Sequence, residues 1–189
     1  ESVISEMREL GLFGLTIPEE YGGLGLNTEE ECKVAIELGY TSAAFRSVIG
    51  TNNGIGSQGL VMDGTDDQKE NYLPRLASGE IIGSFALTEP NVGSDSANVQ
   101  TKAEKDGDSY ILNGTKRWIT NANIANLFTV FARTDQSQKG SSGVSAFLVD
   151  ANTPGISLSS KYKKMGQQGA HVCDVIFDNC RVPEVNIIG

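Results

Sequence analysis

Histidine is almost missing from this sequence, and cysteine is sparse. One histidine, His171, among 189 residues cannot supply an imidazole metal cluster. It gives a hydrolase triad a single candidate, with no Gly-x-Ser-x-Gly elbow to accompany it. Three cysteines, at 32, 173 and 180, are odd in number and lack CxxC spacing. That pattern excludes a disulfide framework or zinc knuckle and fits reduced thiols in a cytosolic or matrix-like compartment. No apolar run approaches the ~20 residues of a membrane span, and residues 1–10 read as an amphipathic helix rather than a signal peptide. Positive charge is also short: a net charge of −9 repels a phosphodiester backbone and argues against nucleic acid as a partner. Gly22-Gly23-Leu24-Gly25 has Thr28 where a dinucleotide loop needs its last glycine, and no strand leads into it. Gly114-Thr115-Lys116 lacks the upstream glycine of a phosphate loop.

What the sequence does have is a 39% hydrophobic content and a length suited to one or two domains. Its texture changes near residue 80. Before that point Val3, Ile4, Met7 and Leu10 recur at helical spacing, and Thr28 with Glu31 and Thr65 with Gln68 read as capping boxes. A single helix is expected over 43–62, and another from Thr65 to its stop at Gly79. After Gly79 come short apolar runs at 81–87, 99–104, 110–112, 127–132, 144–149, 156–158 and 172–177. They are separated by Gly, Asn, Ser and Asp, with a hairpin turn at Asp106-Gly107. Helices first and strands afterwards predict an α+β chain: an N-terminal helical bundle segment over 1–80, then an antiparallel β-barrel or sandwich over 81–189. The first helix lacks an N-cap and the last residues lead into nothing, so the chain reads as part of a longer protein.

Two segments carry chemistry. In Phe85-Ala86-Leu87-Thr88-Glu89-Pro90-Asn91-Val92-Gly93-Ser94 a strand ends at a threonine, proline fixes a turn, and a Gly-Ser pair offers backbone N–H groups to an anionic or heteroaromatic edge. In Asn113-Gly114-Thr115-Lys116-Arg117-Trp118-Ile119-Thr120-Asn121 the lone tryptophan stands two residues before a threonine. Strand alternation would put Trp118 and Thr120 on one face, an aromatic plane beside a hydroxyl, which suits a planar polar ring. Taken singly, the first reads as an ordinary surface turn and the second as a buried core tryptophan.

Together these segments resemble the middle domain of the acyl-CoA dehydrogenase family. The likeness extends to Leu15–Gly23, to Gln68–Glu80, and to Met165-Gly166-Gln167 with Phe177–Pro183, in the same order along nearly the whole chain. The resemblance implies FAD as cofactor. Phe85, Ala86, Leu87, Thr88, Gly93 and Ser94 would contact the flavin edge and pyrophosphate, Trp118 would pack on the ring, Thr120 would hydrogen-bond near its reactive nitrogen, and Ile119 between them would join the cofactor contacts. Ser94 would also approach the thioester arm of an acyl-CoA substrate. Arg46-Ser47 is similar to the pair that meets the distal carboxylate in glutaryl-CoA dehydrogenases. The family's catalytic glutamate belongs to a C-terminal helical domain, so no catalytic residue is assigned here.

An electron-transfer flavoprotein as acceptor, a homotetramer, and a bacterial cytoplasmic or mitochondrial matrix location are implied in the same way. An acyl-CoA oxidase or flavin monooxygenase of the same fold, or a non-catalytic piece that holds CoA or a protein partner, are the competing classes.

Overall fold

The computed structural model describes residues 2–189, with side chains from residue 3 onward. The chain divides into two compact units. One runs from the start of the chain to Gly83 and includes Lys163–Ala170 and Gly189; the other is Ser84–Tyr162 with His171–Ile188.

The first unit is helical: α1 Ser2–Glu9, α2 Thr28–Gly39, α3 Ala43–Thr51, α4 Gln58–Asp63 and α5 Asp66–Ala77. Its core gathers Phe13, Leu15, Ile17, Leu60, Leu73 and Leu76. The Thr65–Gln68 capping box forms as the sequence predicts and starts α5, while Gly79, at φ +70°, follows its last turn. The cap of α2 lies one residue earlier than expected. Asn27 accepts from the Glu30 amide and Glu30 reaches back to the Asn27 amide, asparagine being at least as good a cap as threonine. The single helix expected over 43–62 is broken. Residues Asn52–Gly56 form a π-turn with Gly54 far from helical angles, and the buried Asn52 side chain uses that kink to bond Phe13 O, Leu76 O and the Gly83 amide.

The second unit holds seven strands, the first of them starting one residue before it: β1 Gly83–Ala86, β2 Lys102–Asp106, β3 Ser109–Thr120, β4 Leu127–Arg133, β5 Val144–Asp150, β6 Ile156–Leu158 and β7 Val172–Pro183. The Asp-Gly signal is borne out: Asp106 pairs with Ser109 across a two-residue turn, with Gly107 at φ +65°. Two fold expectations need correction. A sandwich has two sheets, whereas these strands join into one, in the order β1-β4-β2-β3-β7-β6 with β5 also on β4. Nor is it purely antiparallel, because β2 meets β4 in parallel at Lys102 and Arg133. β5 covers one whole edge of β4, so β1 and β2 must share the other. The core beneath the sheet includes Ala86, Leu112, Ile119, Phe128, Val130, Phe147, Val175 and Phe177.

Candidate functional site

The long pair of β3 and β7 slips register between Lys116 and Ile119: Lys116 faces Val175 and Ile119 faces Cys173. Three steps along β3 therefore oppose two along β7, and the extra residue is a β-bulge. Trp118 occupies it in the left-handed region, at φ +58°, a conformation costing roughly 1–2 kcal/mol for a residue with a Cβ. The alternation argument consequently fails here, since a bulge resets the pleat. Ile119 turns into the core at 2% exposure while Trp118 stands 61% exposed. Thr120, next to Ile119 on the opposite side of the pleat, is half-buried. Trp118 and Thr120 thus both leave the core face, but through a bulge and not through a regular strand.

The Thr88 turn lies beside this bulge. Arg117 N donates to Thr88 O at 2.7 Å, and Ser84 Oγ donates to Thr120 O at 2.6 Å. Phe85 is half-buried against Phe131, ring centroids 5.0 Å apart. Leu87 and Thr88 are half-buried, and Gly93 and Ser94 are exposed. The side chains of Ala86 and Ile119 belong to the core, so these two residues can present only backbone to a ligand.

What staples the two segments together is a buried ion pair that the sequence reading passed over. Lys116, fully buried, donates to Leu87 O at 3.2 Å and to Glu89 Oε1 at 2.7 Å. The Glu89 carboxylate also accepts from Gln100 N at 2.7 Å, Thr101 N at 2.8 Å and Thr101 Oγ1 at 2.5 Å. Burial alone would raise the Glu89 pKa. The hydrogen bonds from Lys116 and Thr101, the Lys116 charge and the Gln100 amide outweigh it and hold the carboxyl below its ordinary 4.5. Burial pulls Lys116 down from its usual value, and Glu89 opposes that shift. A lysine at the same pleat parity as Leu112 was the available signal: an inward cation requires an anion.

A depressed carboxylate pKa means stability that is present above the unfolded-state value and lost as pH falls through the folded one. Thermal melts taken from about pH 7 to about pH 3 should show an acid decline that Glu89→Gln flattens, the variant being the less stable at neutral pH. Superimposable acid limbs would show that the carboxylate contributes nothing.

Beside the loop lies a cleft of ≈ 730 Å³ lined by Asn91, Val92, Asp95, Asn98, Lys102 and Lys139 among others. Arg133 at its edge is committed to the carbonyls of Val99, Ala97, Gln138 and Gly140, so Lys102 and Lys139 supply the cleft's cationic groups. In the helical unit, Arg46 is exposed and its guanidinium folds over Gly50. Ser47 Oγ donates to Gln167 Oε1.

An exposed indole on a bulge, tied through Arg117 N to the half-buried Thr88 turn, has the chemistry to meet a planar ring system. Comparison with known proteins points the same way. Residues 1–80 match the N-terminal domain of acyl-CoA dehydrogenases, and residues 84–180 match the middle domain. Isovaleryl-CoA dehydrogenase from Pongo abelii is 43% identical over 97% of this chain, which spans 44% of that relative. The structure of acyl-CoA dehydrogenase complexed with FAD from Bacillus anthracis superposes with a TM-score of 0.90 and 38% identity, over 100% of this chain and 32% of the other. Glutaryl-CoA dehydrogenase from Mycobacterium smegmatis in complex with FADH2 gives 0.89 and 35%, over 98% and 46%. The chain therefore spans less than half of each of these three relatives.

Proposed function

The chain belongs to the acyl-CoA dehydrogenase family, and from that premise we propose that it forms the flavin-seating part of an FAD-dependent enzyme that dehydrogenates an acyl-CoA thioester. The observation carrying this reading is the exposed Trp118 bulge hydrogen-bonded to the Thr88 turn through Arg117 N. Bound FAD supplies the two-electron acceptor for α,β-dehydrogenation. Trp118 would offer its indole face to the ring, Thr120 a hydroxyl toward the ring's reactive nitrogen, and Thr88 with Gly93 and Ser94 donors to the ring edge and pyrophosphate. Ser94 and the amines of Lys102 and Lys139 would meet the thioester arm and phosphates of CoA, a local positive patch on an acidic protein.

Glu89 is not the base that removes the α-proton. Its oxygens are taken by four donors, and a lowered pKa makes it a weaker proton acceptor. That role is left to a carboxylate other than Glu89. An electron-transfer flavoprotein is the acceptor this reading expects, and a homo-oligomer the assembled form. The complete protein should be yellow and bleach anaerobically on adding an acyl-CoA thioester. A colourless protein that does not take up FAD would refute the assignment, and rapid peroxide formation in air would move it to the oxidases.

The exposed Arg46, with no ion pair among the described residues, keeps a dicarboxylyl substrate in view. In the complete enzyme Arg46→Ala should raise KM for a dicarboxylyl-CoA by about tenfold or more and leave straight-chain substrates unchanged. Equal losses for both classes would remove that reading.

A further inference from the structure

A bulge leaves its extra residue without a ladder partner, and a buried or half-buried amide needs a replacement acceptor. On β7 the residue facing the bulge is Asp174, between Cys173 and Val175, which pair with Ile119 and Lys116. Asp174 is 8% exposed. Its Oδ1 accepts from Trp118 N at 3.2 Å, its Oδ2 from Arg117 Nε at 3.4 Å, and both oxygens lie 3.0 Å from the Tyr162 hydroxyl. Its backbone is fixed in turn, the amide donating to Ser159 Oγ at 2.8 Å and the carbonyl accepting from Ser159 N at 3.0 Å. One carboxylate thus binds both residues that the bulge displaces, Arg117 by its side chain and Trp118 by its amide.

We infer that Asp174 is the positioning residue for Trp118: its carboxylate replaces the lost ladder acceptor, holds the left-handed backbone, and so fixes how the indole is presented. The inference rests on the flavin reading for its purpose but not for its geometry. Without an acceptor at 174, the Trp118 amide would be unsatisfied in its present conformation, and regular pairing with β7 would compete with the bulge. Asparagine keeps an oxygen for the Trp118 amide and an amide group for the Tyr162 hydroxyl. It loses the charge that attracts Arg117. The role assigned to Asp174 therefore depends on an acceptor atom more than on a charge.

Trp118 is the only tryptophan, so 15N-tryptophan labelling of the 189-residue chain reports one backbone amide and one indole. In Asp174→Ala the Trp118 amide should shift and exchange with solvent about tenfold faster or more, as expected for losing a hydrogen bond to a charged acceptor. The Asp174→Asn variant should stay within about twofold of wild type. A merely structural role would lower the melting temperature without this local signature or its rescue. Wild-type Trp118 exchange in a folded Ala variant overturns the inference. Should the Ala variant not fold, exchange in the Asn variant decides alone: about tenfold acceleration there contradicts the acceptor role.

This arm uses no flavin, so it can fail while the flavin reading stands. A second arm in the complete protein measures FAD affinity, expected to fall about tenfold with Ala and to be held by Asn. Equal FAD affinity in all three proteins contradicts the claim that the clamp serves the cofactor.

Discussion

Lys116→Met is expected to destabilise the strand unit by about 3–5 kcal/mol, the cost of leaving a buried carboxylate without its cation. Glu89 is 4% exposed and Lys116 fully buried, so solvent replaces little of the lost interaction. The three donors from Gln100 and Thr101 would remain on Glu89, which caps the loss, and protonation of the stranded carboxyl caps it further. The destabilisation should therefore be largest near neutral pH and shrink toward acid. Adding Glu89→Gln to Lys116→Met should recover part of the loss, because the double variant no longer buries an unpaired charge. Urea midpoints for the two single variants and the double variant measure this coupling. A Lys116→Met chain as stable as wild type would show that the pair is not what anchors the Thr88 turn. Leu87 O and Glu89 Oε1 both take the same ammonium, so loss of the amine should also loosen the turn.

Gly114→Ala should be damaging, because both the space and the backbone conformation there call for glycine. A Cβ on Gly114 would stand 2.5 Å from Thr101 Oγ1 and 2.8 Å from Thr101 Cα, with φ at +157°. Thr101 cannot retreat without loss: its amide and hydroxyl hold Glu89, and its carbonyl accepts from Arg133 N at 2.7 Å. Overpacking against fixed backbone costs about 1–3 kcal/mol. Here the displaced residue also carries hydrogen bonds to the buried carboxylate. Gly93→Ala is the control, since nothing lies within 4 Å of its added carbon, and it should fall within about 0.5 kcal/mol of wild type. Equal denaturation midpoints for the two variants would contradict this account of Gly114.

The change from helices to strands near residue 80 was legible because its signals are local. The Thr65–Gln68 box, the glycine after α5 and the Asp-Gly turn each act within a few residues. What depends on distant partners was not legible. The Trp118 bulge exists because β7 offers one residue where β3 has two, and strand alternation read from β3 alone cannot reveal that. The parallel meeting of Lys102 with Arg133 joins residues far apart in sequence, and the break after α3 turns on the contacts of Asn52 with Phe13 and Leu76.

The candidate site divides in the same way. Phe85–Ser94 and Asn113–Asn121 were each ambiguous as chemistry, and their pairing rested on family likeness. The stitch between them, Lys116 to Glu89 and Arg117 N to Thr88 O, appears only in three dimensions. Arg46 drew notice only through family likeness, and in the helical unit it is exposed.

The central claim is that the Trp118 bulge and the Thr88 turn together seat a flavin. Titrating the chain with FAD while following the fluorescence of its single tryptophan tests this directly. Saturable quenching, weakened in Thr120→Val and in Lys116→Met while the chain remains folded, is the expected result. Uptake of FAD that leaves Trp118 emission untouched, or no response up to the solubility of FAD, would contradict it.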